Sequence, residues 1–177
     1  DLAAIRTTAI KDGDDYIING QKTFISNGLN CDLVIVAAKT DPQAVPPYAG
    51  VSLIVVEDGT PGFEKGRRLE KIGLHSQDTV EMAFVDCRVP ATNLLGQEGQ
   101  GFYYLMQKLQ QERLVCAMAA QVGAEEALRL TIEFTKQREA FGRPISRLQY
   151  ISCELAKLAT EVAVGRAFLD SLLVDHL

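Results

Sequence analysis

The chain has 177 residues, 47% of them hydrophobic and 23% charged, with a formal net charge of −5. That is the balance of a globular protein long enough to bury a real core. Acidic residues outnumber basic ones in both halves, which excludes a general nucleic-acid surface, and no run of about 18 apolar residues offers a membrane span.

Residues 1 to 95 are punctuated by Asp12-Gly13, Asn19-Gly20, Asn27-Gly28, Asp58-Gly59 and Pro61-Gly62, dipeptides that supply the positive φ angles of tight turns. Between them lie β-rich runs, including AIRTTAIK, DYIING, DLVIVAAK, VSLIVVE and TVEMAFVD. This half is expected to be an antiparallel β-domain, a barrel or a sandwich. The segment TDPQAVPPYAG (40 to 50) reads as a loop because of its three prolines. KGRRLEK (65 to 71) carries Glu70 and no interleaved aromatics, so it reads as a solvated strand or loop face.

Near Gly101 the period becomes helical. Three helices are expected: from Gly101 to about Val122, from about Ala124 to Phe141 with a stop at Gly142 and Pro144, and from near Ser146 onward. The last spaces Leu148, Ile151, Leu155, Leu158, Val162, Gly165, Leu169 and Leu172 by threes and fours, a narrow packing seam. It suits antiparallel helices in a bundle or a helix shared between subunits. The overall expectation is an α+β chain, a central β-domain over 1–95 and the start of a helical bundle over 96–177. The chain begins at Asp1 and ends at Leu177 inside the helical pattern, so a fragment of a longer polypeptide is expected.

The cysteines (Cys31, Cys87, Cys116, Cys153) and the histidines (His75, His176) have no metal-ligand spacing. Cys116 and Cys153 are expected as reduced core thiols, as in an intracellular protein. Glu112 shares a helical stripe with Leu105, Lys108, Leu109, Val115, Cys116 and Ala119. A carboxylate buried there would hold its proton more tightly and suit a general base for a weakly acidic C–H. On spacing alone, an ion pair with Lys108 or a half-wet edge position accounts for it at least as well. Arg113 falls on an adjacent face, where it could hold a carboxylate or phosphate or form a structural ion pair.

GQEGQGF (96 to 102) lacks the order of a phosphate-binding loop and reads as a flexible loop and helix cap. His75-Ser76 reads as a polar turn. In FISNG (24 to 28), Phe24 and Ser26 share one strand face and Ile25 the other, an aromatic and a hydroxyl able to meet a planar heterocycle. Arg138 and Arg143 flank Phe141-Gly142 at a helix end, where cations are favourable in any case.

Five segments occur in one collinear order: DLAAIRTTA, DYIINGQKTFISNG, VPATNLLGQEGQGF, QQERL and QREAFGRPI. Together they make the chain resemble the acyl-CoA dehydrogenase family over nearly its whole length. Asp1 resembles the last residue of the family's upstream GSD segment, which implies a missing N-terminal helical domain. The resemblance implies FAD as cofactor, with Phe24, Ile25 and Ser26 matching the segment against the isoalloxazine, commonly Trp-Ile-Thr. Phe for Trp and Ser for Thr keep a π-face and a hydroxyl. Arg138 and Gln149 match positions that reach the FAD of a neighbouring subunit, implying a homo-oligomer, usually a tetramer. Tyr103, Gln110, Gln111 and Arg113 match acyl-CoA contacts, as do Tyr48 and Ala49 in the loop.

Long-chain and isovaleryl-CoA dehydrogenases are similar in carrying the catalytic glutamate on the first helix of the C-terminal bundle, immediately before an arginine. Glu112 and Arg113 match that pair, and FYYLMQKLQQERL resembles the long-chain pattern. The implied reaction is α,β-dehydrogenation of a long-chain acyl-CoA in fatty acid β-oxidation. Glu112 takes the pro-R α-proton, the β-hydrogen leaves as hydride to flavin N5, and the product is a trans-2-enoyl-CoA. The implied electron acceptor is an electron-transfer flavoprotein, and the implied compartment is the bacterial cytoplasm or the mitochondrial matrix. The alternatives are a branched-chain or terpenoid acyl-CoA dehydrogenase, a flavin oxidase or monooxygenase on the same fold, and a non-catalytic oligomerising bundle.

Overall fold

The computed structural model describes residues 4–176; Asp1, matched above to an upstream segment, lies outside them. The chain divides into two compact units, the first extending to Gln107 and the second beginning at Lys108.

Six strands make up the first unit: β1 (Thr8–Asp12), β2 (Asp15–Ser26), β3 (Leu33–Lys39), β4 (Val51–Glu57), β5 (Phe63–Arg68) and β6 (Thr79–Pro90). They form one sheet in the order β4-β3-β1-β2-β6-β5. The expected antiparallel pairing holds everywhere except between β1 and β3, which run parallel through Thr8 and Lys39. The sheet is therefore mixed.

Alternation does what the β-rich runs suggested. In β2, Tyr16 and Ile18 point inward while Asp15, Ile17 and Asn19 are more open. Residues from both edge strands, Ile54 and Val56 of β4 and Phe63 of β5, join one buried cluster with Val36, Met82 and Phe84. An open, flat sheet could not bring its two edges to one core, so this sheet wraps around it. The charged run at 65 to 71 divides between the end of edge strand β5 and the loop after it. Charge on an edge strand discourages pairing with another chain.

Asn19-Gly20, expected as a hairpin turn, lies inside β2 at a register shift. Asn19 is committed across the sheet instead: its amide donates to Asp86 Oδ1 at 3.1 Å, and its carbonyl oxygen accepts the Asp86 N–H at 2.9 Å. Two side-chain bonds to β6 keep the dipeptide in the ladder, where a turn would have ended it.

The second unit contains two helices instead of the three expected. Helix α1 (Gly101–Gln137) begins in the first unit and runs unbroken for 37 residues, and α2 (Gln149–His176) follows. The expected break near Gly123 is absent. A lone helical glycine costs only about 1 kcal/mol relative to alanine, and the strong helix formers Ala119, Ala120, Ala124 and Ala127 surround it. Nor does the helix reach Phe141. Glu139–Ala140 (β7) and Arg143–Pro144 (β8) make a two-stranded hairpin around Phe141 (φ 53°) and Gly142 (φ 72°), two successive positive φ values that define a tight hairpin turn.

The α1–α2 seam includes polar groups. Gln121 Nε2 donates to the Val162 carbonyl at 2.8 Å, and Gly165 lets that side chain approach α2 closely. Arg166 grips Glu125 with two bonds, 2.7 Å and 2.6 Å. This pairing, helped by a bond from Gln121, lowers the Glu125 carboxyl from 4.5 to about 2. A folded-state value below the ordinary one stabilises the fold above about pH 4.5 and is lost as pH falls toward about 2. Glu125→Gln is therefore expected to melt at lower temperature than wild type near neutrality and to converge with it at the acid end. Circular-dichroism melts across that range test this, and a gap that stays constant with pH would count against it.

The seam expected on α2 is the less exposed side of the helix, with Leu169 fully buried, although Leu158 and Leu172 remain open. The expectation of core thiols fails, since Cys116 and Cys153 are both exposed. Each helix covers one flank of the other, and these cysteines lie on the uncovered flanks. Among the described residues no helix is long and apolar enough to cross a membrane, and no cluster of three or more metal-binding side chains occurs.

Candidate active-site segments

In the first unit, β2 ends on the segment Phe24-Ile25-Ser26. The register against β6 slips between Lys22 and Ile25, then resumes with Ile25 opposite Val80 and Ser26 opposite Thr79. Phe24 sits at this bulge with φ 62° and 76% of its surface exposed. A bulge redirects a side chain, and a left-handed backbone at a bulky residue costs about 1–3 kcal/mol, strain that concentrates at ligand-contact sites. Ile25 packs on the core while Ser26 is exposed. An aromatic face and a hydroxyl thus stand out from a rigid sheet, and a cleft of about 290 Å³ opens beside Ser26, lined also by Gly28, Cys31 and Val34. These residues fit contact with a planar heterocycle such as a flavin ring.

The loop after Ser26 is held tightly. Gly28 is buried under Val80 and Met82, and a Cβ there would overlap both. Asp78, a buried acid that sequence reasoning missed, accepts hydrogen bonds from the Leu29 N–H at 2.7 Å and the Asn30 amide at 3.1 Å. Its only sequence signal was a lone acid before a β-run, which is common at strand starts.

A second cluster joins the loop at 40 to 50 to the start of α1. The Tyr48 ring stacks on Phe102 with centroids 4.8 Å apart and meets Tyr103 edge-on at 6.1 Å. Two expected substrate contacts, Tyr48 and Tyr103, are thereby neighbours, with Ala49 half-buried beside them.

The glycine-rich loop that delivers this helix is pinned at both ends. The buried Ser52 hydroxyl accepts the Gly99 N–H at 2.8 Å, and a Cβ on Gly101 would lie 2.9 Å from the Ser52 Cα. The buried Tyr16 hydroxyl donates to Glu98 at 3.0 Å. Burial and then the Glu98 carboxylate push the Tyr16 phenol above its ordinary value. The loop expected to be a flexible cap is thus a built connection.

In the second unit, Gln110, Gln111, Glu112 and Arg113 occupy one turn of α1 and are all exposed. Gln110 and Arg113 line a cleft of about 650 Å³ with Leu114, Ala117, Leu172, Asp175 and His176. Gln111 and Glu112 lie outside its lining. The burial expected of Glu112 is not supplied by this chain, since Val115, Cys116 and Ala119 on its stripe are exposed as well. The alternative ion pair with Lys108 does not form either among the described residues. Arg138, just past α1, and Gln149, the first residue of α2, are exposed at the hairpin end of the helix pair.

A mixed β-sheet unit followed by a long-helix pair, with an exposed aromatic-hydroxyl segment on the sheet, defines an α+β chain of two units. Comparison with known proteins narrows it. Residues 1–87 match the acyl-CoA dehydrogenase middle domain, and residues 99–173 match the acyl-CoA dehydrogenase C-terminal domain. The mitochondrial long-chain specific acyl-CoA dehydrogenase of Sus scrofa is 51% identical over 176 residues, 99% of this chain and 41% of that protein. The mitochondrial isovaleryl-CoA dehydrogenase of Pongo abelii is 40% identical over 169 residues, 96% of this chain and 40% of its own length. The crystal structure of acyl-CoA dehydrogenase from Geobacillus kaustophilus superposes with a TM-score of 0.97 at 61% identity, covering 99% of this chain and 46% of that one. The chain belongs to the acyl-CoA dehydrogenase family, FAD-dependent oxidoreductases that act on the CH–CH bond of acyl-CoA. It spans about 41% of the length of the long-chain relative.

Proposed function

We propose that the full-length protein is an FAD-dependent dehydrogenase of long-chain acyl-CoA thioesters, with Glu112 as its base. The observation that carries this reading is Glu112 beside Arg113 on α1, an open carboxylate next to a guanidinium that lines a cleft of about 650 Å³. The 51% identity to a long-chain specific enzyme supports the chain-length assignment.

In the proposed mechanism Glu112 accepts the α-proton of the thioester. Apolar cover over the exposed Glu112 stripe would exclude water from the proton transfer. FAD, held against Phe24, Ile25 and Ser26, would supply the two-electron acceptor for the β-hydrogen. Phe24 offers its ring and Ser26 its hydroxyl to the flavin, with Ile25 anchoring the segment in the core. Tyr48, Ala49 and Tyr103 contact the acyl-CoA at the aromatic cluster, and Gln110, Gln111 and Arg113 contact it on α1.

Arg138 and Gln149 reach the FAD of a neighbouring subunit in a homo-oligomer, a tetramer in this proposal. The exposed apolar side chains of the helix pair, among them Val115, Val122, Phe134, Val164 and Phe168, are surface that such an assembly would cover. The proposed electron acceptor is an electron-transfer flavoprotein. The compartment follows the host, the mitochondrial matrix in a eukaryote and the cytoplasm in a bacterium.

The full-length protein is expected to be yellow and to bleach anaerobically on addition of a long straight-chain acyl-CoA. A panel of chain lengths and branched substrates, read by flavin absorbance, tests the assignment. Faster bleaching by isovaleryl-CoA than by any straight chain would transfer it to the branched-chain alternative.

A further inference from the structure

We propose that Asp78 is a positioning residue for the flavin: it holds the Asn27–Asn30 turn, and through it the Phe24–Ser26 segment, in the shape that meets the ring. This rests on the reading of Phe24–Ser26 as the flavin contact. Asp78 is only 6% exposed. A buried carboxylate is costly unless hydrogen bonds satisfy it, and no cation pairs with Asp78 among the described residues.

Its partners all belong to one turn. Oδ2 accepts the Leu29 N–H at 2.7 Å, Oδ1 accepts the Asn30 amide at 3.1 Å, and the Asp78 carbonyl accepts the Asn27 N–H at 3.1 Å. The next two residues, Thr79 and Val80, are the ladder partners of Ser26 and Ile25. Asp78 therefore continues the β2–β6 ladder past its last pair and fastens the chain that leaves it.

That fastening has strain to oppose. Phe24 (φ 62°) and Asn27 (φ 60°) bracket the segment in left-handed conformations. Such residues persist only where their surroundings over-determine them. Without Asp78, the Leu29 N–H and the Asn30 amide lose their acceptor, and the turn can relax toward ordinary φ values. Phe24 and Ser26 would then sample several orientations, and ordering them would be charged to cofactor binding.

The test uses full-length holoprotein and compares Asp78→Ala, Asp78→Asn, Asn30→Ala and Ser26→Ala. It reads the FAD dissociation constant well below the melting temperature and the visible spectrum of the bound flavin. Asp78→Ala is expected to weaken FAD about tenfold, the weight of one or two hydrogen bonds, and to change the flavin band shape. Asp78→Asn keeps an acceptor for Leu29 and is expected to recover most of the affinity. Asn30→Ala is expected to weaken FAD about threefold, and it carries the test if Asp78→Ala does not fold.

A purely structural role would lower the melting temperature while leaving the affinity and spectrum of the folded protein intact, and that result overturns the proposal. If Ser26→Ala perturbs the flavin while neither Asp78→Ala nor Asn30→Ala does, the positioning role fails and the flavin-contact reading stands. If none of the variants perturbs the flavin, both fall.

Discussion

Glu112→Gln in the full-length protein is expected to retain FAD and to lose bleaching by acyl-CoA, with flavin reduction slowed about 10³-fold. The amide nearly matches the carboxylate in shape, so binding contacts are preserved while the proton acceptor is removed. A positioned general base contributes about 10²–10⁴-fold, and this reaction asks it to take a proton from carbon, where water is a poor substitute. Stopped-flow reduction under anaerobic conditions reads the rate, and the visible spectrum before mixing reads cofactor retention. Unimpaired reduction would assign the base elsewhere. Loss of flavin in the same variant would show that Glu112 serves the cofactor site, a different role from the one proposed.

The largest expected loss of stability is at Phe84. Its ring is buried and stacks on Phe63 with centroids 5.0 Å apart and planes within 5° of parallel. Its strand lies between β2 and β5, with Phe84 opposite both Gly20 and Phe63. Phe84→Ala removes the ring from the core, and Gly20, one of its two cross-strand partners, has no side chain to fill the space. Large-to-small aromatic changes of this kind cost about 3–5 kcal/mol. Denaturant titration of the full-length protein should show an earlier midpoint, accompanied by earlier release of flavin. A change below about 1 kcal/mol would mean that the core collapses around the deletion.

How far these features were legible in the sequence depended on whether they were local. Strands β3 and β4 were readable because LVIVAAK and VSLIVVE are β-rich, and the turns at Asp12-Gly13 and Asn27-Gly28 because their chemistry is carried by the residues themselves. The parallel contact of β1 with β3 left no local mark, since it depends on where Thr8 and Lys39 meet in space. Asn19-Gly20 misled for the converse reason: its turn preference is real, but two bonds to Asp86 outweigh it. The break expected between Val122 and Ala124 is absent because the alanines around Gly123 carry the helix through.

The site residues divide in the same way. Tyr48 and Tyr103 were named from motif resemblance, and the aromatic cluster brings them together. The exposure of Glu112 could not be read from periodicity, because a stripe of apolar residues states only that something covers it, and in this chain α2 covers a different flank. Asp78 was invisible because each of its bonds spans more than 45 residues of sequence.

The continuity of α1 bears on which changes in chain length this protein can accept. Glu112 and Gln121, the residue bonded to the Val162 carbonyl of α2, stand on a single helix of the second unit, so their separation is dictated by helical geometry, about 1.5 Å and 100° per residue. Deleting one residue between them would swing Glu112 about 100° around the axis, and no loop intervenes to absorb the error. The irregular stretch from 41 to 46, ahead of the short turn that carries Tyr48, is freer of that constraint, because the Thr40 and Gly50 backbones already meet at the base of the loop at 2.9 Å. Insertions and deletions among variants of this chain should therefore accumulate in that stretch and be missing between Glu112 and Gln121.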